Sequence, residues 1–225
     1  MKTLVVAAHP DDEVLGCGGT AAGLSESGDL WIGILGEGVA ARYGLGEEAP
    51  KADLERLKSQ AERAGKILGA KEVVFASLPD NRFDTVAMLD IVKVIEKWIK
   101  DFGPEVVYTH HNGDLNVDHS ATFRAVLTAT RPMIGETVRD VYAFEIASST
   151  EWAFQSIGQP FHPNTFVDVT ATIDRKIEAL EAYTGEVREF PHPRSPDALR
   201  ANAKRWGAAV GVQAAEAFEL IRAVR

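Results

Sequence analysis

Residues 4–20 read LVVAAHPDDEVLGCGGT. Five apolar residues, Leu4 to Ala8, run without alternation, which suits a strand buried on both faces of a parallel sheet. The run stops at His9-Pro10, and two aspartates and a glutamate follow at once. A stretch rich in glycine then begins, suited to a helix that packs closely on the sheet. Charge at the end of a core strand has to be explained, and the explanation organises the rest of the chain.

Short β-branched runs recur at 30–35, 72–76, 105–108 and 138–146. Between them, Leu54, Leu57, Ala61, Ala64 and Leu68 step by three or four, as do Leu89, Val92, Ile95 and Ile99, which is helical spacing. Gly28, Gly69 and Gly103-Pro104 stand where helices should stop. Strands alternating with helices predict an α/β fold, a mostly parallel sheet with helices on both faces. Sites in such sheets lie at the carboxyl ends of the strands. The His9-to-Glu13 loop is at one such end, and residues 109–119 follow the fourth strand. Residues 147–170 read as irregular, 174–190 as helical up to the proline-rich 191–196, and 199–206 as helical. One domain over 1–225, with a C-terminal elaboration from about 147, is the expected organisation.

The chain has 225 residues, 45% of them hydrophobic, and a net charge of −9, which disfavours a nucleic-acid binder because that role needs excess Lys and Arg. Cys17 is the only cysteine, so no disulfide joins parts of the chain. The opening apolar run is too short for a signal or a membrane span. A soluble cytoplasmic protein is expected, with no nucleic-acid partner and no membrane span.

His9 and Asp12 are both good zinc ligands, and a turn at a strand end can bring i and i+3 together. A catalytic zinc takes three protein ligands and keeps a place for water. The segment 109–119, THHNGDLNVDH, offers three histidines, and a helix expected over 117–130 would hold His119 rigidly. Asp11 is the leftover carboxylate, placed to act as general base beside a bound water. Glu13 supports the site from behind or simply favours a helix N-terminus. The bland alternative makes the acids first-turn residues and His9 a turn residue. A dinucleotide loop is disfavoured, because Gly16, Gly18 and Gly19 lack the full spacing and follow an acidic cluster.

Together, Ala8-His9-Pro10-Asp11-Asp12-Glu13, the Gly18-Gly19-Thr20 that follows, and Val117-Asp118-His119 resemble the LmbE-like, PIG-L-type zinc-dependent de-N-acetylases. GKILG at 65–69, Leu78-Pro79-Asp80 and Ala215-Glu216-Ala217-Phe218 extend the likeness. The resemblance implies a Rossmann-like three-layer fold and removal of acetyl from an N-acetylglucosamine-type sugar or its conjugate, a small-molecule partner. It implies His9, Asp12 and His119 as metal ligands and Asp11 as general base, with zinc-polarised water attacking the amide carbonyl. Iron(II) or another divalent metal is an alternative cofactor, since a His₂Asp set discriminates weakly.

Many family members carry a histidine where this chain has Asn116. Asn116 can donate a hydrogen bond but cannot carry a proton, so His110, His111 or His192 is left to supply the imidazole, and His111 is taken as a catalytic candidate with Asn116. Asp118 orients a histidine or serves as a first-turn acid. Arg42, Arg82, His192 and Arg194 are candidate substrate contacts, from loops expected on the active face. Trp152 and Phe154 are candidates for stacking on a sugar, against packing on the core or a neighbouring subunit, and a homo-oligomer is possible. The rival functions are a metal-dependent amidase for a non-sugar amide and a non-catalytic metal- or sugar-binding module.

Overall fold

The computed structural model describes residues 1–40, 43–44 and 49–225. In chain order the described elements are β1 (Lys2–Ala7), α1 (Asp12–Ser25), β2 (Asp29–Gly36), α2 (Lys51–Leu68), β3 (Glu72–Leu78), α3 (Met88–Phe102), β4 (Val106–His110), α4 (Val117–Ala129), β5 (Asp140–Phe144), β6 (Thr165–Asp168), α5 (Ile173–Glu181), α6 (Pro196–Val210) and β7 (Ala215–Arg222). The seven strands form one sheet in the order β3-β2-β1-β4-β5-β7-β6. Strands β1 to β5 are parallel, and β7 runs antiparallel to both β5 and β6.

The unbroken apolar run of β1 is explained by its central place. Val5 and Ala7 join a buried cluster with residues of α1, α2 and α5, while Leu4 and Val6 join a second cluster with residues of α3 and α4. Helices therefore cover both faces, as the alternation of patterns requires. Helices α2 and α3 stop on left-handed Gly69 and Gly103, where a residue with a Cβ would be strained. Sheet order reverses direction between β1 and β4. Loops leaving those neighbours in opposite directions open a crevice at their carboxyl ends.

Three readings are corrected. The helix expected over 174–190 ends at Glu181, because Tyr183 turns inward to donate its hydroxyl to Glu13 and Gly185 takes φ 96°. The stretch 147–170 is not wholly irregular, since β6 pairs with β7 within it. Helix α6 is longer than 199–206; Pro196 opens it and the Ser195 hydroxyl caps it by accepting from the Ala198 N–H.

Helix α1 is broken at Cys17 (φ −146°, ψ 24°). The break frees backbone groups, and C-terminal residues satisfy them. Glu216 accepts the N–H groups of Gly19 (3.1 Å) and Thr20 (2.7 Å), while Lys176 donates to Leu15 O (2.8 Å) and to Glu216 (2.6 Å). Gly16 lies flat on the sheet, where a Cβ would come within 2.3 Å of the Phe144 ring. The glycines after the acidic loop thus serve close packing. No helix among the described residues is long and apolar enough to cross a membrane.

Candidate active site

A cavity of about 220 Å³ opens at the crevice between β1 and β4. His9, Asp11 and Asp12 reach it from the end of β1, and Asn116 and His119 from the start of α4. Asp80 and Asn81 enter after β3, Ser148 and Ser149 after β5, and Glu186 and Arg194 from between α5 and α6.

The local fold of residues 9–15 explains the first group. Asp11 has φ 98°, a left-handed conformation that Asp tolerates better than most residues, and its carbonyl accepts from the N–H groups of Val14 and Leu15 to start α1. Asp12 lies in the first turn, and its carboxylate accepts the His9 N–H at 2.8 Å.

Asp12 Oδ2 lies 3.3 Å from His9 Nδ1 and 3.3 Å from His119 Nε2. Donor atoms of all three residues fall within 4.8 Å of one another. Bonds of ~2.0–2.1 Å around a tetrahedral zinc put neighbouring donors about 3.3 Å apart. The donor set therefore fits such an ion. A buried carboxylate also stands beside the second nitrogen of each imidazole. His9 Nε2 is 2.9 Å from Asp118 Oδ2, and His119 Nδ1 is 3.1 Å from Asp114 Oδ1. That pairing fixes which nitrogen faces inward. Asp118 is itself tied down by the Phe83 N–H (2.8 Å), and Asp114 by the hydroxyls of Ser149 and Thr150 and the Asn116 N–H.

The electrostatics follow from burial among these carboxylates. Burial opposes a charge on His9, but Asp118 and Asp12 outweigh it and raise its pKa to about 10. Against the same opposition, Asp12 and Asp114 raise His119 to about 9. Asp12 is held well below the usual carboxylate range by His119 and His110, despite burial. Burial pushes Asp11 up to about 7, opposed by the guanidinium of Arg194 at 2.7 Å. Burial also pushes Glu13 up to about 8; its carboxyl accepts the Tyr183 hydroxyl and the Asp11 N–H behind the cavity.

The structure separates the remaining sequence candidates. Asp118 orients His9, although it is also in the first turn of α4. Asn116 is the N-cap of α4: its Oδ1 accepts the Asp118 N–H (2.8 Å), and its Nδ2 donates to Asn81 (2.9 Å). His111, just past the end of β4, lies outside the cavity lining, between Glu219 (2.7 Å) and the Gln159 carbonyl (2.9 Å). His192 packs edge-on against Trp152 and is not in the lining. Arg82 is exposed beside the cavity rather than in it. Arg194 does line the cavity, but it is bound to Asp11, to Glu186 (3.4 Å) and to Ser148 (2.8 Å). Arg42 lies outside the described residues.

Sequence reasoning missed Asp80, Asn81, Asp114, Ser148, Ser149 and Glu186. Asp114 sits within the histidine-rich segment and carried a signal there. No local pattern marks Glu186 or Ser148.

Residues 4–130, more than half the chain, match the family described as GlcNAc-PI de-N-acetylase (PIG-L). The chain is 28% identical over 151 residues to the uncharacterized deacetylase YaiS of Escherichia coli K12, covering 65% of this chain and 74% of that one. It is 26% identical over 188 residues to a probable N-acetyl-alpha-D-glucosaminyl L-malate deacetylase 2 of Bacillus cereus, covering 81% and 82%. Among solved structures, the 4-carboxy-2-hydroxymuconate hydratase GalB of Pseudomonas putida KT2440 superposes with a TM-score of 0.79 at 24% identity, over 100% of this chain and 98% of that one. That last likeness is one of fold alone, and it shows the fold carrying a reaction other than deacetylation.

Proposed function

The chain belongs to the PIG-L (LmbE-like) family, and from that membership we propose that it is a metal-dependent hydrolase that removes acetyl from an N-acetylated amino sugar or its conjugate. The convergence of His9, Asp12 and His119 on one point, with the Asp11 carboxyl in the same cavity, carries this reading. Zinc or iron(II), held by those three residues, supplies when bound the Lewis acidity that makes water nucleophilic and polarises the amide carbonyl. Asp11 takes the proton of the attacking water and returns it to the leaving amine nitrogen. A carboxyl raised by burial is suited to both transfers near neutral pH. Arg194 keeps Asp11 turned into the cavity, and Asp118 and Asp114 keep the imidazoles facing inward.

The test is acetate release from free N-acetylglucosamine, N,N′-diacetylchitobiose, simple N-acetylglucosaminides, UDP-N-acetylglucosamine and an N-acetylglucosaminyl malate, with metal-loaded and chelator-treated protein. Release that depends on metal supports the reading, and none from any sugar with metal bound refutes it.

Metal binding should also depend on pH with a definite sign. Below about 9, both imidazoles hold protons that a metal must displace. The rise in Tm produced by added zinc should shrink as pH falls from 8 to 6, and calorimetry in two buffers should register proton release. A zinc effect independent of pH would contradict the ligand assignment.

A further inference from the structure

Among the described residues lining the cavity, the Ser148 hydroxyl has a proton that no acceptor takes, and the Nη2 group of Arg194 also makes no hydrogen bond. Asn116 stands where many relatives have an imidazole, and its amide is engaged in capping α4 and holding Asn81. His110 is fully buried, with Nε2 accepting the Ala8 N–H at 2.8 Å and its ring stacked on His119. His111 is bound to Glu219 and Gln159, and His192 lies against Trp152, both outside the lining. The Ser149 hydroxyl donates to Asp114. No histidine is left to face the oxygen of a bound amide.

Ser148 remains. Its Oγ accepts from Arg194 Nε at 2.8 Å, and its N–H donates to Glu151 at 2.7 Å. The hydroxyl proton has no acceptor among the described residues. Ser148 has φ 69°, a left-handed conformation unusual for serine and of the kind that collects at functional sites. The same guanidinium holds Asp11 at 2.7 Å, so one cation fixes the hydroxyl and the carboxyl together. A hydroxyl oxygen that accepts from a cation is polarised and becomes a stronger donor.

We propose that Ser148 is a catalytic residue whose hydroxyl donates a hydrogen bond to the amide carbonyl oxygen as negative charge develops on it. The inference rests on the deacetylase reading. Water adds to the carbonyl carbon, the C–N bond breaks, and acetate and amine leave. Ser148 keeps its proton throughout and forms no covalent bond. The donor acts on charge present in the transition state more than in the ground state, so its loss belongs in kcat.

Ser148→Gly tests this, because glycine accepts the left-handed backbone and lacks the hydroxymethyl side chain. With N,N′-diacetylchitobiose, or whichever panel sugar the wild type cleaves fastest, kcat should fall about 10²–10³-fold. KM, zinc content and Tm should hold. An N-trifluoroacetyl analogue, whose carbonyl needs less help, should show a smaller loss, which a purely structural role would not produce. A Ser148→Gly kcat within threefold of an active wild type overturns this inference alone, as does an equal loss on both substrates. A wild type inactive on every N-acetyl sugar overturns the deacetylase reading and this inference with it.

Discussion

Asp11→Asn protein keeps its fold and its affinity for zinc, and loses acetate release by about 10²–10⁴-fold, the contribution of a positioned proton-transfer group. Asparagine is the informative replacement for two reasons. It tolerates the left-handed backbone that Asp11 adopts at φ 98°, so the turn that presents Asp12 is preserved. It also matches the carboxylate in shape while being unable to accept a proton at neutral pH. Arg194 loses one of its two carboxylates but stays anchored by Glu186 and Ser148. Asp11→Ala would confound the result by adding backbone strain and emptying part of the cavity. Steady-state kinetics beside a metal assay is the measurement. Turnover within a few-fold of wild type would remove Asp11 from the chemistry.

Glu216→Ala has the largest expected effect on stability, about 3–5 kcal/mol, the usual cost of breaking a buried ion pair. The side chains of Lys176 and Glu216 are 7% and 6% exposed, so the ammonium left behind has little access to water. The substitution also leaves the Gly19 and Thr20 N–H groups unmet at the break in α1. Glu216→Gln keeps an acceptor for those groups and should lose less. Lys176→Met combined with Glu216→Gln should cost less than the two single losses added, since the partners act as a unit. Urea unfolding monitored by circular dichroism measures each. A Glu216→Ala loss under about 1 kcal/mol would mean that water reaches the pair and the break needs no staple.

Local patterns carried much of this into the sequence. The apolar run at β1 told of a central strand because a strand covered on both faces has no need of polar residues. The spacing of Leu54, Leu57, Ala61, Ala64 and Leu68 told of α2, because one face of that helix is buried. His9 and Asp12 were legible as a pair because three residues of a turn fix their separation. The expected helix at 117–130 likewise fixed where His119 would sit.

Local pattern therefore specifies the parallel α/β core and the short-range constellation at the end of β1. Long-range packing set the rest. It placed Arg194 on Asp11 across 183 positions, gave His119 its partner in Asp114, and turned Ser148 into the cavity. It also showed His111 facing Glu219, Asn116 capping a helix, and α5 ending early so that Tyr183 could reach Glu13. Hydrophobic periodicity states which face of an element is buried. It does not state which distant group a polar side chain will meet, because that depends on strand order and on loops whose paths are set by the packed whole.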